Sequence, residues 1–246
     1  MTVGDMDKII EALDRAIEKA GVERQKVSLV TDIAYSPEVV DFLGTDLFHT
    51  SRGRAIPYAT GMKLANPGLK PVVLIGDIAT LGGNHLVHSC RRNMDMVVIC
   101  VNDYLYRQVA GEKAPADKAP VSSFSPYSTF ESPLNIPHMA RSCGCVNVSR
   151  WTALHSDELT DSISSGLQRM GLTLVDVITS APDILEFYHT HSEIKNDEDT
   201  LNVQIEESKK IIVGNFYSAQ RDSFIEAYNK QHSKVLGDDF IKIEVE

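Results

Sequence analysis

Acidic and amide side chains follow two apolar segments of the sequence, in positions where they could hold a cation. Asp77 lies just beyond the run Pro71–Ile75, and Asn102 and Asp103 follow the run Met96–Val101. Because the carboxyl ends of parallel strands share the edge of an α/β sheet that binds ligands, we expect these groups to lie together. Oxygen ligands suit Mg²⁺ or Ca²⁺ holding a phosphate. The alternative interpretation is that these polar residues simply end their strands.

A pair of glycines, Gly82 and Gly83, stands before the helix predicted over residues 84–93. Glycine lets the backbone approach a ligand closely, and the first N–H groups of a helix attract anions. This segment therefore predicts a phosphate-binding helix start beside the carboxylates described above.

Predicted strands and helices alternate along the chain, which is typical of parallel βαβ units. The fold class is therefore predicted as α/β, with a mostly parallel sheet and helices on both faces. We expect an α/β domain over residues 1–190, then an acidic linker and a C-terminal strand-helix arm over residues 191–246. Helices are predicted over residues 7–20, 54–64, 84–93 and 157–170 and near 221–231, and strands over residues 26–34, 71–75, 96–101, 172–178 and 211–214.

The composition excludes several classes of protein. The 246 residues are 43% hydrophobic, which is enough to bury a core, and no apolar run approaches the length of about 18 residues that a membrane span requires. The net charge of −10 argues against a nucleic-acid or anionic-membrane surface. With no secretory signal at the N-terminus, a cytoplasmic location is expected.

Four cysteines, Cys90, Cys100, Cys143 and Cys145, are present without a C-x-x-C motif. They therefore predict neither a disulfide scaffold nor a regular zinc or iron–sulfur framework. Cys143 and Cys145 could bind a soft metal or form a redox pair. The favoured interpretation is that all four are small hydrophobic side chains.

Several motifs in a fixed order resemble the thiamine-diphosphate-binding β subunit of 2-oxoacid:ferredoxin oxidoreductases. The resemblance covers nearly the whole chain and implies the thiamine-diphosphate-binding fold. The motifs are His49-Thr-x-x-Gly-Arg-Ala55, Ala59-Thr-Gly-x-Lys-Leu-Ala-Asn-Pro67, Gly82-Gly-Asn-His85, Arg91-Arg-Asn-x-Asp95, Pro126-Tyr127 with Glu131-x-Pro133, and Val213-Gly-Asn-Phe-Tyr217.

The resemblance also implies roles for individual residues, with thiamine diphosphate and Mg²⁺ as cofactors. The catalytic candidate is His49, and the metal ligands are Asp77, Asp103 and the Leu105 carbonyl. His85 and His88 could reach one metal, but a place beside the diphosphate or in the core is favoured for His85. The residues expected to bind the cofactor are Gly53, Arg54, Gly76, Asp77, Gly82, Gly83, Asn84, His85, Asn102 and Tyr106.

The chain departs from the family pattern in two segments near these residues. Where the family has Gly-Asp-Gly-Asp, this chain has Gly76-Asp77-Ile78-Ala79, and the loop that follows is shorter. The Pro71–Ile75 strand aligns Asp77 with the first family Asp, so Asp77 keeps the metal-ligand role. The family's Gly-Gly-Gln is replaced by Ala110-Gly111-Glu112.

The four cluster-binding cysteines of the family have no counterparts here. No cysteine precedes Cys90, the turn after the first strand reads Ala34-Tyr35-Ser36, and Ala181 stands in the last position. The resemblance therefore implies that this chain holds no [4Fe–4S] cluster.

The resemblance implies a thiamine-diphosphate-dependent 2-oxoacid oxidoreductase subunit, or a non-oxidative decarboxylase, active only in a hetero-oligomer. A partner α subunit would carry the pyrimidine-binding domain. Electrons would leave to ferredoxin or a cluster-bearing subunit, and coenzyme A could accept the acyl group. The alternative is a catalytically silent subunit that keeps the fold for assembly, which the short loop and Ala110-Gly111-Glu112 favour.

Overall fold

A computed structural model describes residues 3–32, 43–76, 82–102, 134–179, 185–186, 189–198, 211–237, 240 and 242–244. In this part of the chain, helices and strands alternate around an eight-stranded sheet. The helices are α1 (Val3–Ala20), α2 (Ala55–Ala65), α3 (Gly83–Arg92), α4 (Ile136–Ser142), α5 (Ser156–Gln168) and α6 (Phe224–Leu236), with a 3₁₀ turn at Arg24–Lys26. The strands are β1 (Val27–Thr31), β2 (Asp46–His49), β3 (Lys70–Ile75), β4 (Met96–Asn102), β5 (Asn147–Thr152), β6 (Leu172–Ile178), β7 (Ser192–Ile194) and β8 (Ile211–Ser218).

The sheet has the strand order β2-β1-β3-β4-β6-β5-β8-β7. Strands β1 to β6 run parallel to their neighbours, so their carboxyl ends meet at one edge, called here the carboxyl edge. Strand β8 pairs antiparallel with β5, and β7 pairs parallel with β8. The predicted fold class, with its mostly parallel sheet, is confirmed.

Helices cover both faces of the sheet, so its inner strands, such as β1, β4, β5 and β6, are buried at every residue. On one face, α1 and α5 pack over the strands through Ile9, Leu13 and Ile163. On the other face, Ile56 of α2 and Leu86 of α3 belong to a second apolar cluster. None of the helices described in this chain is long and apolar enough to span a bilayer.

A buried ion cluster lies at the opposite edge of the sheet, called here the amino edge. The Lys63 Nζ lies 2.7 Å from Oδ2 of Asp95 and donates hydrogen bonds to the carbonyls of Pro67 and Leu69, at 2.6 and 2.8 Å. Lys70 Nζ lies 3.2 Å from the same carboxylate oxygen. The cluster ties the end of α2 to the starts of β3 and β4.

The sequence located most strands of the parallel core but missed β2, α4, β5 and β7. The predicted strand over residues 172–178 has the bounds of β6, and the predicted strand over 211–214 extends to Ser218 as β8. Since β8 pairs with β5, this part of the predicted C-terminal arm belongs to the main sheet. The division into residues 1–190 and 191–246 stays a prediction.

Candidate functional site

The carboxyl edge brings together several of the predicted site residues. Thr31, the last residue of β1, is paired with His49 of β2 and with Leu74 of β3. Gly76 directly follows β3, and Asn102 ends β4, which pairs with β3. The candidate catalytic residue His49 is exposed, whereas Asn102 is buried.

A buried carboxylate that sequence reasoning missed lies at this edge, between the ends of β2 and β3. Asp32 directly follows β1 and is 8% exposed. Its Oδ2 accepts a hydrogen bond from the Gly53 N–H at 2.6 Å, and its Oδ1 accepts one from the Gly76 N–H at 3.2 Å. Its position just beyond an apolar strand, like that of Asp77, is the sequence signal that could have identified it.

The turn between β2 and α2 depends on a glycine. Gly53 has a φ of 68°, in the left-handed region that residues with a Cβ adopt at a cost. Thr50 anchors the turn, because its N–H donates to the Thr31 carbonyl at 2.7 Å. Arg54 follows as the N-cap residue of α2, and its N–H donates to the Ser51 carbonyl at 3.0 Å.

The N-terminus of α3 has the properties of an anion site. Gly82 is the buried capping residue and supplies no side-chain hydrogen bond, and the first turn contains no acidic residue. Asn84 is exposed, and its Oδ1 accepts the His85 N–H at 2.9 Å. The first N–H groups of such a helix attract a phosphate through their partial positive charge.

His85, at this helix start, is a partly exposed residue with one buried polar atom. Its Nε2 is inaccessible to solvent and has no hydrogen-bond partner among the described residues. Burial lowers the pKa of His85, and the charges of Arg54 and His88 lower it further. Protonation of the imidazole is therefore disfavoured, and its Nε2 has unused hydrogen-bonding capacity among the described residues.

Asn102 is connected to a buried ion pair in the centre of the sheet. Its Nδ2 donates to Oδ1 of Asp176 at 3.1 Å, and Oδ2 of Asp176 accepts the Arg150 Nε–H at 2.7 Å. The side chains of Asp176 and Arg150 are 0% and 4% exposed. One amide hydrogen of Asn102 is thus engaged inside the protein, and its role as a cofactor ligand stays a prediction.

A second polar cluster lies at the carboxyl end of β5. The Thr152 Oγ1 lies 2.8 Å from Nδ1 of His155 and 3.4 Å from Nδ1 of His189, and the two Nδ1 atoms are 3.3 Å apart. The Thr152 N–H also points at Nδ1 of His155, so we assign that nitrogen as the unprotonated acceptor. Burial, followed by the neighbouring His189, lowers the pKa of His155.

The predicted cation ligands Asp77, Asp103 and Leu105, and the predicted cofactor residue Tyr106, lie outside the described residues. Among the residues described, no group of three or more His, Cys, Asp or Glu side chains could hold a metal ion. The described part of the edge therefore fits a diphosphate, through the α3 N-terminus and the partnerless His85 nitrogen. The predicted cation ligands lie outside the described residues, so the cation site stays a prediction.

The four cysteines are mostly buried. Cys90, Cys100 and Cys145 are buried, and Cys143 is partly exposed. Hydrogen bonding to Cys145 and burial raise the pKa of Cys90. Cys145 itself donates to the Leu172 carbonyl at 3.2 Å. A raised pKa keeps the Cys90 thiol protonated, which lowers its reactivity.

Comparisons with known proteins agree with this fold. The model of the C-terminal thiamine pyrophosphate-binding domain of thiamine pyrophosphate enzymes matches residues 35–177. A solved 2-oxoglutarate:ferredoxin oxidoreductase from Magnetococcus marinus, with 2-oxoglutarate, coenzyme A and succinyl-CoA bound, superposes with a TM-score of 0.77 at 20% identity. The match covers 97% of this chain and 89% of that chain and supports the fold.

Three relatives are similar to this chain over most of its length. The 2-oxoglutarate synthase subunit KorB of Methanothermobacter marburgensis is 33% identical, across 87% of this chain and 80% of that protein. Its namesake in Methanocaldococcus jannaschii is 32% identical, across 90% and 87%. The 2-oxoacid:ferredoxin oxidoreductase β subunit of Saccharolobus solfataricus is 34% identical, across 78% and 66%.

The parallel sheet, the uncapped helix at its carboxyl edge and the family match define a domain of the thiamine pyrophosphate enzymes. The chain belongs to the family of β subunits of 2-oxoacid:ferredoxin oxidoreductases, which are subunits of oxidoreductases. The family predicted from the sequence motifs is thereby confirmed.

Proposed function

We propose that this chain binds the diphosphate of thiamine diphosphate through Mg²⁺ at the carboxyl edge, and that a partner α subunit completes the active site. The observation that carries the proposal is the N-terminus of α3. Its capping residue, Gly82, has no side chain to cap the helix. The Nε2 of His85, which lies near the charge of Arg54, has no hydrogen-bond partner among the described residues. A helix start and a guanidinium are both suited to phosphate oxygens.

The residues of this chain divide into three groups in the proposal. The N–H groups around Gly82 and Gly83, together with Arg54, would bind the diphosphate, with Asn84 at the exposed side of the helix start. The cation would be held by Asp77, Asp103 and the Leu105 carbonyl. Gly53, Gly76, His85, Asn102 and Tyr106 would line the cofactor site.

The chemistry of the reaction would come from the cofactor. When bound, thiamine diphosphate supplies the means to stabilise the carbanion left after a 2-oxoacid loses CO₂. His85, whose lowered pKa disfavours a second positive charge near Arg54, would offer a ring nitrogen to the cofactor. His49, exposed at the carboxyl end of β2, would be accessible to a substrate or to the partner subunit.

The substrate and the electron path follow from the relatives and the cysteines. Relatives named as 2-oxoglutarate synthase subunits make 2-oxoglutarate the first 2-oxoacid to assay, with coenzyme A as acyl acceptor. Since the family's cluster cysteines are replaced in this sequence, electrons would pass to ferredoxin or to a cluster-bearing subunit. The partner α subunit would carry the pyrimidine-binding domain.

The test is calorimetry of the complex reconstituted from this chain and its α subunit, titrated with thiamine diphosphate in the presence of Mg²⁺. The wild type should bind, and Asp77→Ala should weaken binding by about 10- to 100-fold because a cation ligand is lost. Asp46→Ala is the matched control, since this exposed carboxylate lies at the amino end of β2. A wild-type complex that binds no cofactor contradicts the proposal and favours the silent structural subunit.

A further inference from the structure

The Asp32 carboxylate joins three segments that are distant in sequence. Asp32 follows β1, and it accepts hydrogen bonds from backbone N–H groups that lie 21 and 44 positions further along the chain. The first belongs to Gly53, in the turn after β2, and the second to Gly76, directly after β3. A single side chain thus fixes the spacing of three neighbouring strand ends.

Each glycine held by Asp32 directly precedes a residue that the proposed function uses. Arg54 follows Gly53 and lies close enough to His85 to lower its pKa. Asp77, the proposed cation ligand, follows Gly76. Because one peptide unit separates each held N–H from the next residue, movement of either glycine is transmitted to its neighbour.

An ionised carboxylate suits this position better than other polar side chains. It accepts hydrogen bonds at both oxygens, and bonds to a charged acceptor are stronger than neutral ones. An amide at position 32 keeps one acceptor oxygen but turns an NH₂ group towards the other N–H. Alanine at position 32 leaves both N–H groups without this partner.

We propose that Asp32 is a positioning residue for cofactor binding, which sets the distance between Gly53, next to Arg54, and Gly76 at the end of β3. This role rests on the function proposed above. In the structure, Asp32 accepts hydrogen bonds from two backbone N–H groups. Its effect on the cofactor would come through the residues that follow those two glycines.

The test compares Asp32→Asn, Asp32→Ala and Asp95→Asn in the reconstituted complex. Asp95 is the matched control, because it is a similarly buried carboxylate at 3% exposure but lies at the amino edge. Calorimetry should rank cofactor affinity as wild type, then Asp32→Asn, then Asp32→Ala, with a loss of about 10- to 100-fold for alanine. Asp95→Asn should bind the cofactor as the wild type does.

Hydrogen–deuterium exchange of the full chain supplies a readout that needs no cofactor. The amides of Gly53 and Gly76 should exchange faster in the Asp32 variants and at the wild-type rate in Asp95→Asn. If Asp32→Ala fails to fold, the Asp32→Asn comparison still decides the matter.

The outcomes separate this inference from the proposed function. A wild-type complex that binds no thiamine diphosphate overturns both. A wild type that binds, together with Asp32 variants of unchanged affinity or unchanged exchange at both glycines, overturns the role of Asp32 alone.

Discussion

The two edges of the parallel sheet each contain a buried aspartate, but the partners of the two carboxylates differ. At the amino edge, Asp95 forms ion pairs with the ammonium groups of Lys63 and Lys70. At the carboxyl edge, Asp32 accepts hydrogen bonds from the backbone N–H groups of Gly53 and Gly76. The Asp95 cluster joins side chains at the ends of a helix and of strands. The Asp32 hydrogen bonds hold the backbone of the segments that follow β2 and β3.

The different partners of the two carboxylates suggest different roles: the amino edge contributes to the stability of the fold, and the carboxyl edge contributes to cofactor binding. At the amino edge, Lys63 directs its Nζ to three acceptors, Asp95 and the carbonyls of Pro67 and Leu69, so its hydrogen-bonding capacity is used inside the protein. At the carboxyl edge, the α3 N-terminus and the His85 Nε2 leave hydrogen-bonding capacity for a ligand. Variants at the two edges should therefore differ in what they change.

The largest effect is expected from Lys63→Met, which removes the buried ammonium and leaves Asp95 with the more exposed Lys70. Breaking a buried ion pair from one side costs about 3–5 kcal/mol, and urea unfolding should show a loss of this order. Cofactor affinity of the folded complex should stay at the wild-type value. A substantial drop in affinity would contradict the separation of the two edges.

A pair of glycine variants sharpens the comparison. Gly53→Ala and Gly171→Ala both place a Cβ at positive φ, 68° and 97°, and a left-handed residue costs about 1–2 kcal/mol. At position 171 the added Cβ would also lie 2.5 Å from Nδ2 of Asn93, at the amino edge. Gly171→Ala should lose more stability in thermal unfolding, whereas Gly53→Ala alone should weaken cofactor binding in calorimetry.

A smaller, pH-dependent effect is expected from His155 at the end of β5. Because burial lowers its folded-state pKa below the unfolded value of about 6.5, the unfolded chain binds the proton more readily. Stability should be full above that pH and fall as the pH drops towards the folded-state pKa. His189 adds to the lowering, and Glu158 opposes it.

Urea unfolding across about pH 5 to 8 measures this dependence. His155→Asn keeps an acceptor oxygen but removes the titrating group, so its stability should vary less with pH than that of the wild type. An equal slope in both proteins would assign the dependence to other groups.

The smallest effect is expected from Arg15→Ala, on the exposed surface between α1 and α5. Arg15 lies 2.6 Å from Asp157, but the two side chains are 44% and 82% exposed, and water screens such a pair. Urea unfolding and cofactor calorimetry should both give wild-type values within error. A clear loss in either would show that the α1–α5 surface contributes more than its exposure indicates.

The sequence predicted the strands that contain long apolar runs, such as β3, β4 and β6. It missed β5 because Asn147, Arg150 and Thr152 interrupt the apolar pattern, although all three are buried. Arg150 is satisfied by Asp176 of the neighbouring strand, a pairing that only the fold reveals. Strand β2 was missed because it is a short, mostly exposed strand at the end of the sheet.

The candidate site was predictable to a similar extent. The apolar runs placed Gly76 and Asn102 at strand ends, and the motifs identified His49 without its strand; the sheet brings all three to one edge. Asp32 was missed because its partners are backbone N–H groups, which are present at every residue except proline. Their pairing depends on chain geometry that the residue types do not encode locally.

The antiparallel pairing of β8 with β5 has a consequence for synthesis of the protein. The partner of β5, which ends at Thr152, is made only when residues 211–218 have been translated. Until then, that side of β5 presents unpaired backbone groups, which can recruit strands of other nascent chains. A chain truncated before residue 211 should therefore aggregate after its release from the ribosome. Synthesis of β8 would complete the hydrogen bonding of β5 and remove this exposed strand edge.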